Sequence, residues 1–589
     1  MHPPRPRALS AALVLTCAAI GLAGCASVGS APSATLKKPQ LDQIIASQQN
    51  QPAGSFAAFL GRVKASQPAL MPAITAYEQR QPLTGDNLFN IARLLGVYNR
   101  LAHQGAVIDT TTQMVALKTV RGSAPPHEDP AIIAFGQMVQ RLAGDFGLKY
   151  RNVDNRIFEV TLPGTGAEEF GILTHADVVP ANAEEWVLDD GTKLDPFKVT
   201  RVGDLLYGRG TIDDKGSIAA VLYAMKTVKD SGLPLQRSIR LMIETTEETG
   251  GDAMKYYQGK TPLPAYNIVL DSRYPAVVAE KGTGALKAAF PVVMVKPAPG
   301  AAVITAMAGS GSANAIPQTA TARLLSTDVA SLAAKLEAAK SAFIAKYTPQ
   351  GGKFDIAIAR QTVDGAEGVD VKVTGSSAHG SRPEEGVNPV PRLALFLHEA
   401  AVPLAGNHYA HAVRYIGELF GTDYLGRTLG VAYRDDFMGP LTLSPTLIKL
   451  EGNELGVTAN VRMPRGNTPD ALKAALAQRI NGWGEQTKVP MTLTHTQGNW
   501  MARDPKGAWL GTLLNIFGDT TRLKAKPVST AGSTTAKLMP NAINFGPAMP
   551  GKKYTAHNAK EYKEVADLDA DLQMFTEMLV RIGNLPQMQ

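Results

Sequence analysis

The sequence predicts an α/β protein in which a mostly parallel sheet is flanked by helices and is followed by a further domain. Short apolar strands alternate with amphipathic helices from about residue 130 onward, a pattern typical of a parallel sheet covered on both faces. Polar side chains follow each apolar strand, which places them at the carboxyl edge of that sheet. Near residue 290, two prolines interrupt a valine-rich run, which indicates a crossing into another domain.

Length and composition exclude several classes of protein. A chain of 589 residues is too long for one core, and 44% hydrophobic content is too high for an intrinsically disordered chain, so two or three domains are expected. The presence of only 2 cysteines excludes a disulfide scaffold and a cysteine-rich zinc or iron–sulfur protein. The net charge of +7 is small for this length, so nucleic acid is not implied as a partner.

The N-terminus is typical of an exported protein. Arg5 and Arg7 precede an apolar stretch over residues 8–22, so residues 1–24 are predicted to be a signal peptide. This stretch is too short and too rich in small residues for a stable membrane span. The residues Leu-Ala-Gly-Cys that end at Cys25 resemble a bacterial lipobox, which implies cleavage before Cys25 and lipidation of its thiol. An ordinary secretory signal with an incidental cysteine is the alternative.

The mature chain is then expected to be a lipoprotein of the cell envelope that faces the periplasm and touches the membrane only through its lipid. Ala26 after the cysteine favours the outer membrane over the inner one. Residues 25–54 lack a sustained hydrophobic period and are expected to form a tether. Residues 55–120 carry apolar residues at helical spacing and are expected to be a helical segment, to which the sequence assigns no function.

Hydrophobic periodicity predicts further elements along the chain. These are helices over residues 132–146 and 218–228, strands over 170–173, 239–243 and 267–270, and helices over 329–343 and after Thr468-Pro469. Gly282-Thr283-Gly284 lacks the complete phosphate-binding fingerprint, so nucleotide binding is not expected.

Imidazole and carboxylate groups recur at the ends of the predicted strands and once near the C-terminus. The candidates are His175, Asp177, Asp213, Asp214, Glu247, Glu248, Asp271 and His557. Such donors without thiolates suit zinc, manganese or cobalt in a hydrolytic site. Each segment alone has an ordinary explanation, such as a surface histidine, a solvated acidic edge or a helix cap. Their joint occurrence at successive strand ends predicts a metal site.

In these motifs the chain resembles the metallopeptidases of the M20 family, close to the PepV-type and carnosinase-like dipeptidases. The resemblance covers most of residues 120–589 and implies a zinc-exopeptidase-like catalytic domain with an inserted α+β lid domain. It assigns residues 121–289 and 501–589 to the two parts of the catalytic domain and residues 290–500 to the lid. A lid of this length implies a monomer in which the lid supplies residues to the active site of its own chain.

The resemblance further implies two divalent metal ions, with zinc expected and manganese or cobalt as alternatives. Asp213 would bridge the two ions. His175 and Asp271 would complete one site, and Glu248 and His557 would complete the other. The resemblance also implies a cis peptide bond after Asp213.

Two further acids receive roles from the same comparison of motifs. Glu247 would act as general base and later as general acid, because it neighbours the ligand Glu248 without coordinating. Asp177 would accept the second N–H of the His175 imidazole and fix its tautomer. Asp214 is expected to cap the following helix or to orient the loop.

Three lid residues match positions that handle the substrate in this family. His379 would stabilise the oxyanion, Asn314 would hold the substrate, and Arg462 would clamp its C-terminal carboxylate. The alternatives are a solvated turn for His379, a turn before a proline for Asn314 and a surface ion pair for Arg462. Lys537 departs from the family pattern, which has arginine there, so carboxylate binding near it is expected to be looser or different.

The leading hypothesis is metal-dependent hydrolysis of dipeptides or short peptides, because an Asp at position 271 goes with dipeptidases and aminopeptidases in this family. The alternative is an amidohydrolase that deacylates N-acyl amino acids or cell-wall fragments with the same metal centre. An inactive envelope binding protein of the same fold would have lost a ligand or the base, and all of them are present.

Overall fold

The computed structural model describes residues 35–52, 54–503, 506–553 and 555–589. The predicted signal peptide and Cys25 lie outside the described residues. The described chain begins with four helices, namely α1 (Lys38–Gln48), α2 (Phe56–Ser66), α3 (Met71–Glu78) and α4 (Gly85–Ala116). The expected helical segment is therefore observed.

Residues 38–48 differ from the tether that the sequence predicts. They form α1, which buries Leu41 and Ile44 and packs against α4. Two apolar residues three positions apart are enough for one face of a short helix, but they are too few to show as a hydrophobic period. This stretch is consequently part of the folded domain.

The first part of the catalytic domain contains the strands and the helix that the sequence predicts over residues 170–173, 218–228, 239–243 and 267–270. Its elements are α5 (Pro130–Asp145), β1 (Lys149–Val153), β2 (Ile157–Leu162), β3 (Glu169–His175), β4 (Thr200–Val202), β5 (Leu205–Tyr207), α6 (Lys215–Ser231), β6 (Ser238–Glu244), α7 (Asp252–Gln258), β7 (Tyr266–Val269), β8 (Ser272–Arg273) and β9 (Val277–Glu280).

The lid domain follows directly, and it includes the helices predicted from residue 329 and after Thr468. Its elements are β10 (Gly282–Pro291), β11 (Val303–Ala308), β12 (Ala315–Ile316), β13 (Thr319–Leu325), α8 (Val329–Tyr347), β14 (Asp355–Val363), β15 (Ala366–Thr374), β16 (Ala378–His379), α9 (Pro389–Glu399), α10 (His408–Leu419), β17 (Arg434–Asp435), β18 (Gly439–Pro440), β19 (Thr442–Glu451), β20 (Glu454–Met463), α11 (Pro469–Thr487) and β21 (Thr492–Gln497).

The chain then returns to the catalytic domain. The remaining elements are β22 (Met501–Ala502), α12 (Ala508–Thr521), β23 (Val528–Thr530), β24 (Ile543–Asn544), β25 (Pro547–Ala548), β26 (Tyr562–Glu564) and α13 (Val565–Gly583).

The catalytic domain is built on a nine-stranded sheet. The strand order is β1-β2-β6-β3-β7-β24-β9-β22, with β23 beside β9. The central strands β6, β3, β7 and β24 are parallel, as predicted, whereas the β1–β2 and β2–β6 pairs and the β9–β22 pair are antiparallel. The sheet is therefore mixed, with its parallel part at the centre.

The N-terminal helices share one hydrophobic core with the catalytic sheet. Helices α6 and α13 contact the sheet, and α4 lies across both of them. Arg93 on α4 and Glu577 on α13 form an ion pair, 2.9 Å between Nε and Oε1, and both side chains are fully buried. The N-terminal segment thus forms an outer layer of the catalytic domain.

The lid domain has a second, separate core between two antiparallel sheets and four helices. The crossing into it lies earlier than the prolines after residue 290 suggest, because β9 belongs to the catalytic sheet and β10 to a lid sheet. Only Lys281 separates the two strands. At Gly282 the segment that enters the lid packs against the segment that leaves it. A Cβ atom on Gly282 would lie 2.2 Å from the carbonyl oxygen of Gly498. Across the described ranges, no helix is long and apolar enough to cross a bilayer.

Candidate functional site

The centre of the parallel sheet ends in a group of polar side chains. His175 is the last residue of β3, and Asp271 follows β7 after one buried leucine. A 3-10 turn over Glu247–Thr249 follows β6, and Asp213 lies two residues before α6 begins. The carboxyl ends of adjacent parallel strands meet at one edge, so the fold brings these residues together.

His175 faces two carboxylates with one ring nitrogen. Its Nε2 atom lies 2.9 Å from Oδ1 of Asp213 and 3.7 Å from Oδ1 of Asp271. Its Nδ1–H donates to the backbone carbonyl oxygen of Asp177 at 2.9 Å, which leaves the Nε2 lone pair directed at the carboxylates. Such a contact between a lone pair and anions requires a proton or a cation between them.

His557 repeats this arrangement on the other side of Asp213. Its Nε2 atom lies 3.2 Å from Oδ2 of Asp213 and 3.0 Å from Oε2 of Glu248. The two oxygens of Asp213 therefore face two different histidines. The Asp213–Asp214 peptide bond is cis.

The charges of this centre are strongly coupled. Burial would raise the pKa of Asp213, but its hydrogen bonds to His175 and His557 hold that pKa well below its usual range. Burial and the nearby charge of Asp213 raise the pKa of Asp271 to about 7. Burial and the carboxylate of Asp271 raise the pKa of Glu247 well above its usual range. The cluster carries more carboxylates than the two histidines neutralise, so it favours bound positive charge.

The donor set fits divalent cations. Two imidazole nitrogens and several carboxylate oxygens converge, and cysteine sulfur is absent from both groups of neighbouring donors that the described residues form. One group joins His175, Asp213 and Glu248, and the other joins His175, Glu247 and Asp271, with all donor atoms of a group within 4.8 Å of one another. Glu247 thus lies as close to the centre as the residues predicted to be ligands.

Asp177 acts through different atoms from those the sequence suggests. Its carboxylate Oδ1 lies 3.6 Å from Nδ1 of His175, beyond a hydrogen bond, and the backbone carbonyl takes that N–H instead. The carboxylate accepts the backbone N–H groups of Glu247 and Glu248, each at 3.1 Å. Asp177 therefore holds the turn that carries both glutamates.

The expectation that Asp214 caps helix α6 is wrong. Asp214 occupies the N-cap position, but its side chain makes no cap hydrogen bond. The residue is fully buried, and neither carboxyl oxygen has a hydrogen-bond partner among the described residues. Burial raises the pKa of Asp214 well above its usual range. The charges of His175, Asp271 and Asp213 act on Asp214, so its carboxyl group lies beside the centre.

The lid brings His379 directly to this centre. Its ring centroid lies 5.4 Å from that of His557, although the two residues belong to different domains. The backbone N–H of Ser381 donates to Nδ1 of His379 at 3.2 Å, which places the ring proton on Nε2. Burial, together with the neighbouring His557, Arg462 and Arg382, lowers the pKa of His379 well below its usual range. His379 is thus a neutral imidazole rather than a solvated turn residue.

Arg462 is buried without an acidic partner. Its side chain donates to Asn460 and to Thr283, both at 2.8 Å, and only 4% of the residue is exposed. Among the described residues Arg462 forms no ion pair within 4.0 Å, although the charge of Glu280 acts on it from farther away, so it is not a surface ion pair. Burial lowers its pKa to about 10. A buried cation of this kind is suited to an anionic ligand.

Asn314 lies beside His379, although the contact is made by the backbone. β12 pairs with β16, and the backbone N–H of Gly380 donates to the carbonyl oxygen of Asn314 at 2.6 Å. The side-chain oxygen of Asn314 accepts a hydrogen bond from Ser312. Asn314 therefore supports the strand that carries the lid histidine.

Lys537 lies in a 3-10 helix over Thr535–Leu538 near Arg462. Burial lowers its pKa, and the charges of Glu280, Arg462 and Glu247 act on it in turn. Glu280 is fully buried and accepts hydrogen bonds from Thr534 and Asn544 at 2.7 Å each. No local pattern singles out Glu280, because its hydrogen-bond partner Thr534 lies 254 positions along the chain.

Comparison with known proteins agrees with this architecture. The pattern of peptidase family M20/M25/M40 matches residues 171–581, which is most of the chain. The chain belongs to peptidase family M20/M25/M40. This M20 peptidase is 28% identical over 424 residues to the Beta-Ala-Xaa dipeptidase of Lactobacillus delbrueckii subsp. lactis, covering 71% of this chain and 83% of that protein. It is 26% identical over 429 residues to the putative dipeptidase YtjP of Bacillus subtilis (strain 168), covering 71% and 84%.

Solved structures support the fold of the M20 peptidase. Human carnosine dipeptidase 1 superimposes with a TM-score of 0.51 at 12% identity, covering 84% of this chain and 99% of that one. The di-peptidase Dug1p of Saccharomyces cerevisiae gives a TM-score of 0.51 at 11% identity, with the same coverage. The predicted catalytic domain with an inserted lid is confirmed.

Proposed function

We propose that this M20 peptidase hydrolyses the peptide bond of dipeptides or short peptides at the centre formed around Asp213. One observation carries the proposal. His175 and His557 direct Nε2 atoms at the two oxygens of Asp213, and the neutral lid histidine His379 lies beside them. This combination supplies cation ligands and a hydrogen-bond donor at one place.

The proposed centre has two cation sites that share Asp213. His175 and Asp271 would complete one site, and Glu248 and His557 the other. When bound, two divalent ions would activate the attacking water and polarise the scissile carbonyl. Zinc is the proposed metal, with manganese and cobalt as alternatives, because imidazole and carboxylate donors without thiolates suit all three.

Glu247 is the proposed general base and later the general acid. It would take a proton from the attacking water and deliver it to the nitrogen of the leaving amine. Burial and the neighbouring Asp271 raise the pKa of Glu247 well above its usual range, which is the direction that strengthens a carboxylate as a proton acceptor. Asp177 supports the step by fixing the backbone N–H of Glu247.

His379 is the proposed oxyanion donor. Because Ser381 donates to Nδ1, the proton on Nε2 is free to bind the oxygen on which negative charge develops. The donor is prepared before the substrate arrives, since the Ser381 contacts already hold the ring. The lid of the same chain provides this residue, which supports a monomer as the active form.

Arg462 is proposed to bind the C-terminal carboxylate of the substrate. Its buried guanidinium forms no direct ion pair in the described part of the chain, and Glu280 acts on it only from a distance, so a carboxylate in the cleft would compensate its charge. Lys537 lies near it and would add a second positive charge without the planar fork of arginine. Asn314 would position the substrate from the strand next to His379.

A peptide substrate is supported by the relatives, whose printed names are Beta-Ala-Xaa dipeptidase and putative dipeptidase. The competing activity is deacylation of N-acyl amino acids. The metal-free chain should be reconstituted with zinc, manganese or cobalt and assayed on unblocked dipeptides and on their N-acetylated forms. We expect kcat/KM at least about tenfold higher on the unblocked dipeptide. The reverse ratio would favour the deacylase.

We further propose that the mature chain is anchored to the envelope by a lipid on Cys25 and faces the periplasm, at the outer membrane. The lipobox-like sequence and its preceding apolar stretch support this. The full chain and its Cys25→Ser variant should be expressed in a diderm bacterium and fractionated. The wild-type chain should sediment with the outer membrane and the variant should not. Equal sedimentation of both would contradict the anchor.

A further inference from the structure

A buried carboxylate organises the loop that carries Asp213. Oε1 of Glu561 accepts the backbone N–H groups of Gly210, Ile212 and Asp213 at 2.9, 3.1 and 3.2 Å. Glu561 is fully buried, and it lies four positions after His557. One side chain thus joins the loop of the shared aspartate to the loop of a histidine from the other part of the catalytic domain.

Arg209 completes the connection from the opposite direction. Its Nη1 atom lies 2.5 Å from Oε2 of Glu561, and its Nη2 atom donates to the carbonyl oxygen of Asn558 at 3.2 Å. The backbone N–H of Gly208 donates to the carbonyl oxygen of Glu561 at 3.0 Å. The two loops are therefore held together by side chains and by backbone.

His557 lacks a partner of its own for its second ring nitrogen. Within the described ranges, Nδ1 of His557 is buried without a hydrogen-bond partner. A histidine that binds a metal ordinarily donates this N–H to a carboxylate or a carbonyl, which fixes the ring. His175 does so through Asp177. Apart from the contacts of its Nε2 atom with Asp213 and Glu248, the orientation of the His557 ring therefore depends on the backbone of its loop.

We propose that Glu561 and Arg209 are positioning residues that hold His557 and Asp213 at the separation needed for the shared cation centre. The pair compensates for the missing hydrogen bond of His557 by fixing the stretch that follows it, at Asn558 and Glu561. Neither residue contacts the substrate in this account. The inference rests on the proposed function, since it concerns the cation sites assigned there.

The test is metal affinity measured apart from turnover. The metal-free full chain and its Glu561→Gln variant should be titrated calorimetrically with zinc, and the absorption of the cobalt form should be recorded. Glutamine keeps the shape of Glu561 but presents an N–H₂ group or a neutral oxygen to Arg209. We expect one of the two zinc affinities to fall by about 10- to 100-fold and the cobalt spectrum to change. The Arg209→Lys variant keeps the charge but loses the contact to Asn558. Its zinc affinity should lie between those of the Glu561→Gln variant and the wild-type chain.

Glu577→Gln is the matched control. Glu577 is also fully buried and paired with arginines, Arg93 at 2.9 Å and Arg581 at 2.6 Å, but it lies on α13 away from the centre. The Glu577→Gln variant should lower the melting temperature, as Glu561→Gln does, but should leave both zinc affinities unchanged.

The outcomes separate the two proposals. Wild-type zinc affinities in the Glu561→Gln variant would overturn the positioning role, whatever the melting temperature. A wild-type chain that fails to bind two ions would instead contradict the proposed function. If Glu561→Gln does not fold, Arg209→Lys decides, because wild-type affinities and an unchanged cobalt spectrum in that variant would also overturn the positioning role.

Discussion

The Nε2 atom of His557 lies 3.2 Å from Oδ2 of Asp213, although the whole lid domain is inserted between these two residues in the chain. The contact forms because β24 adds in parallel to β7 and returns the second part of the chain to the sheet edge where Asp213 lies. The site is therefore complete only when both parts of the catalytic domain have folded together.

Replacing Glu247 should remove turnover and spare metal binding. In the Glu247→Gln variant the side chain keeps its size but cannot accept a proton, so kcat should fall about a thousandfold while the number of bound zinc ions stays unchanged. Steady-state hydrolysis of a dipeptide and metal analysis check this. Asp252→Asn is the control, since Asp252 lies at the start of α7, is exposed and, among the described residues, forms an ion pair with Lys255 alone. Normal turnover by Glu247→Gln would remove Glu247 from the mechanism.

Arg462→Met should weaken binding of the substrate carboxylate. A charge-assisted hydrogen bond contributes about 1.5 to 3 kcal/mol, so KM for a dipeptide should rise by about 10- to 100-fold. The KM of the corresponding dipeptide amide should change little, because it lacks the carboxylate. Arg465→Met serves for comparison, because Arg465 is exposed and paired with Asp435 at 3.0 Å. Equal changes in KM for the acid and the amide would contradict the assignment.

The N-terminal helices should contribute strongly to stability through Arg93. Removing one partner of a buried ion pair costs about 3 to 5 kcal/mol, so Arg93→Met should lower the free energy of unfolding by about 3 kcal/mol. Lys64→Met is the matched surface variant, because Lys64 and Glu78 form a partly exposed pair at 2.7 Å. That pair should contribute less than about 1 kcal/mol. Urea denaturation measures both free energies of unfolding. If Arg93→Met lowered the free energy of unfolding no more than Lys64→Met does, the buried ion pair would not anchor α4 to the catalytic domain.

Stability should fall in acid because of His103. Burial, with Lys226 next in effect, lowers the pKa of His103 from 6.5 to about 4. Between pH 6.5 and pH 4 the unfolded chain therefore binds a proton at His103, whereas the folded chain does not. The stabilisation of the folded chain by neutral His103 is complete above about pH 6.5 and is lost as the pH falls toward 4. Other groups that face His103 are Asn99, Tyr98, Tyr223, Thr227 and Asp230.

The His103→Gln variant isolates this contribution. Urea midpoints at pH 7.5 and pH 5 should differ less in the variant than in the wild-type chain, since glutamine does not titrate. An identical pH dependence in both chains would show that His103 is not the group responsible.

Much of the site could be predicted because its residues follow strands with clear hydrophobic patterns. His175 and Asp271 directly follow the apolar runs of β3 and β7, and the carboxyl edge of a parallel sheet collects such residues. His379 could be placed only through the resemblance to a known family, because no local pattern shows that a lid residue reaches His557.

Other features depend on contacts that a sequence does not display. Glu561 acts through backbone N–H groups of a distant loop, and α1 is held by two apolar residues that show no period. The domain crossing was expected at a proline-rich stretch, but it occurs at Lys281, where close backbone packing demands Gly282. The sequence predicts that the carboxylate of Asp177 accepts the second N–H of His175, but the backbone carbonyl of Asp177 does so, because the path of the chain after β3 decides which atom faces the ring.

The most direct test of the central claim is the number of metal ions bound by the wild-type chain and by its Asp213→Ala variant, measured by mass spectrometry of the metal after dialysis. We expect two zinc ions per wild-type chain, and fewer than one in the variant, because both sites share Asp213. A variant that retains two ions, or a wild-type chain that binds none, would contradict the shared centre.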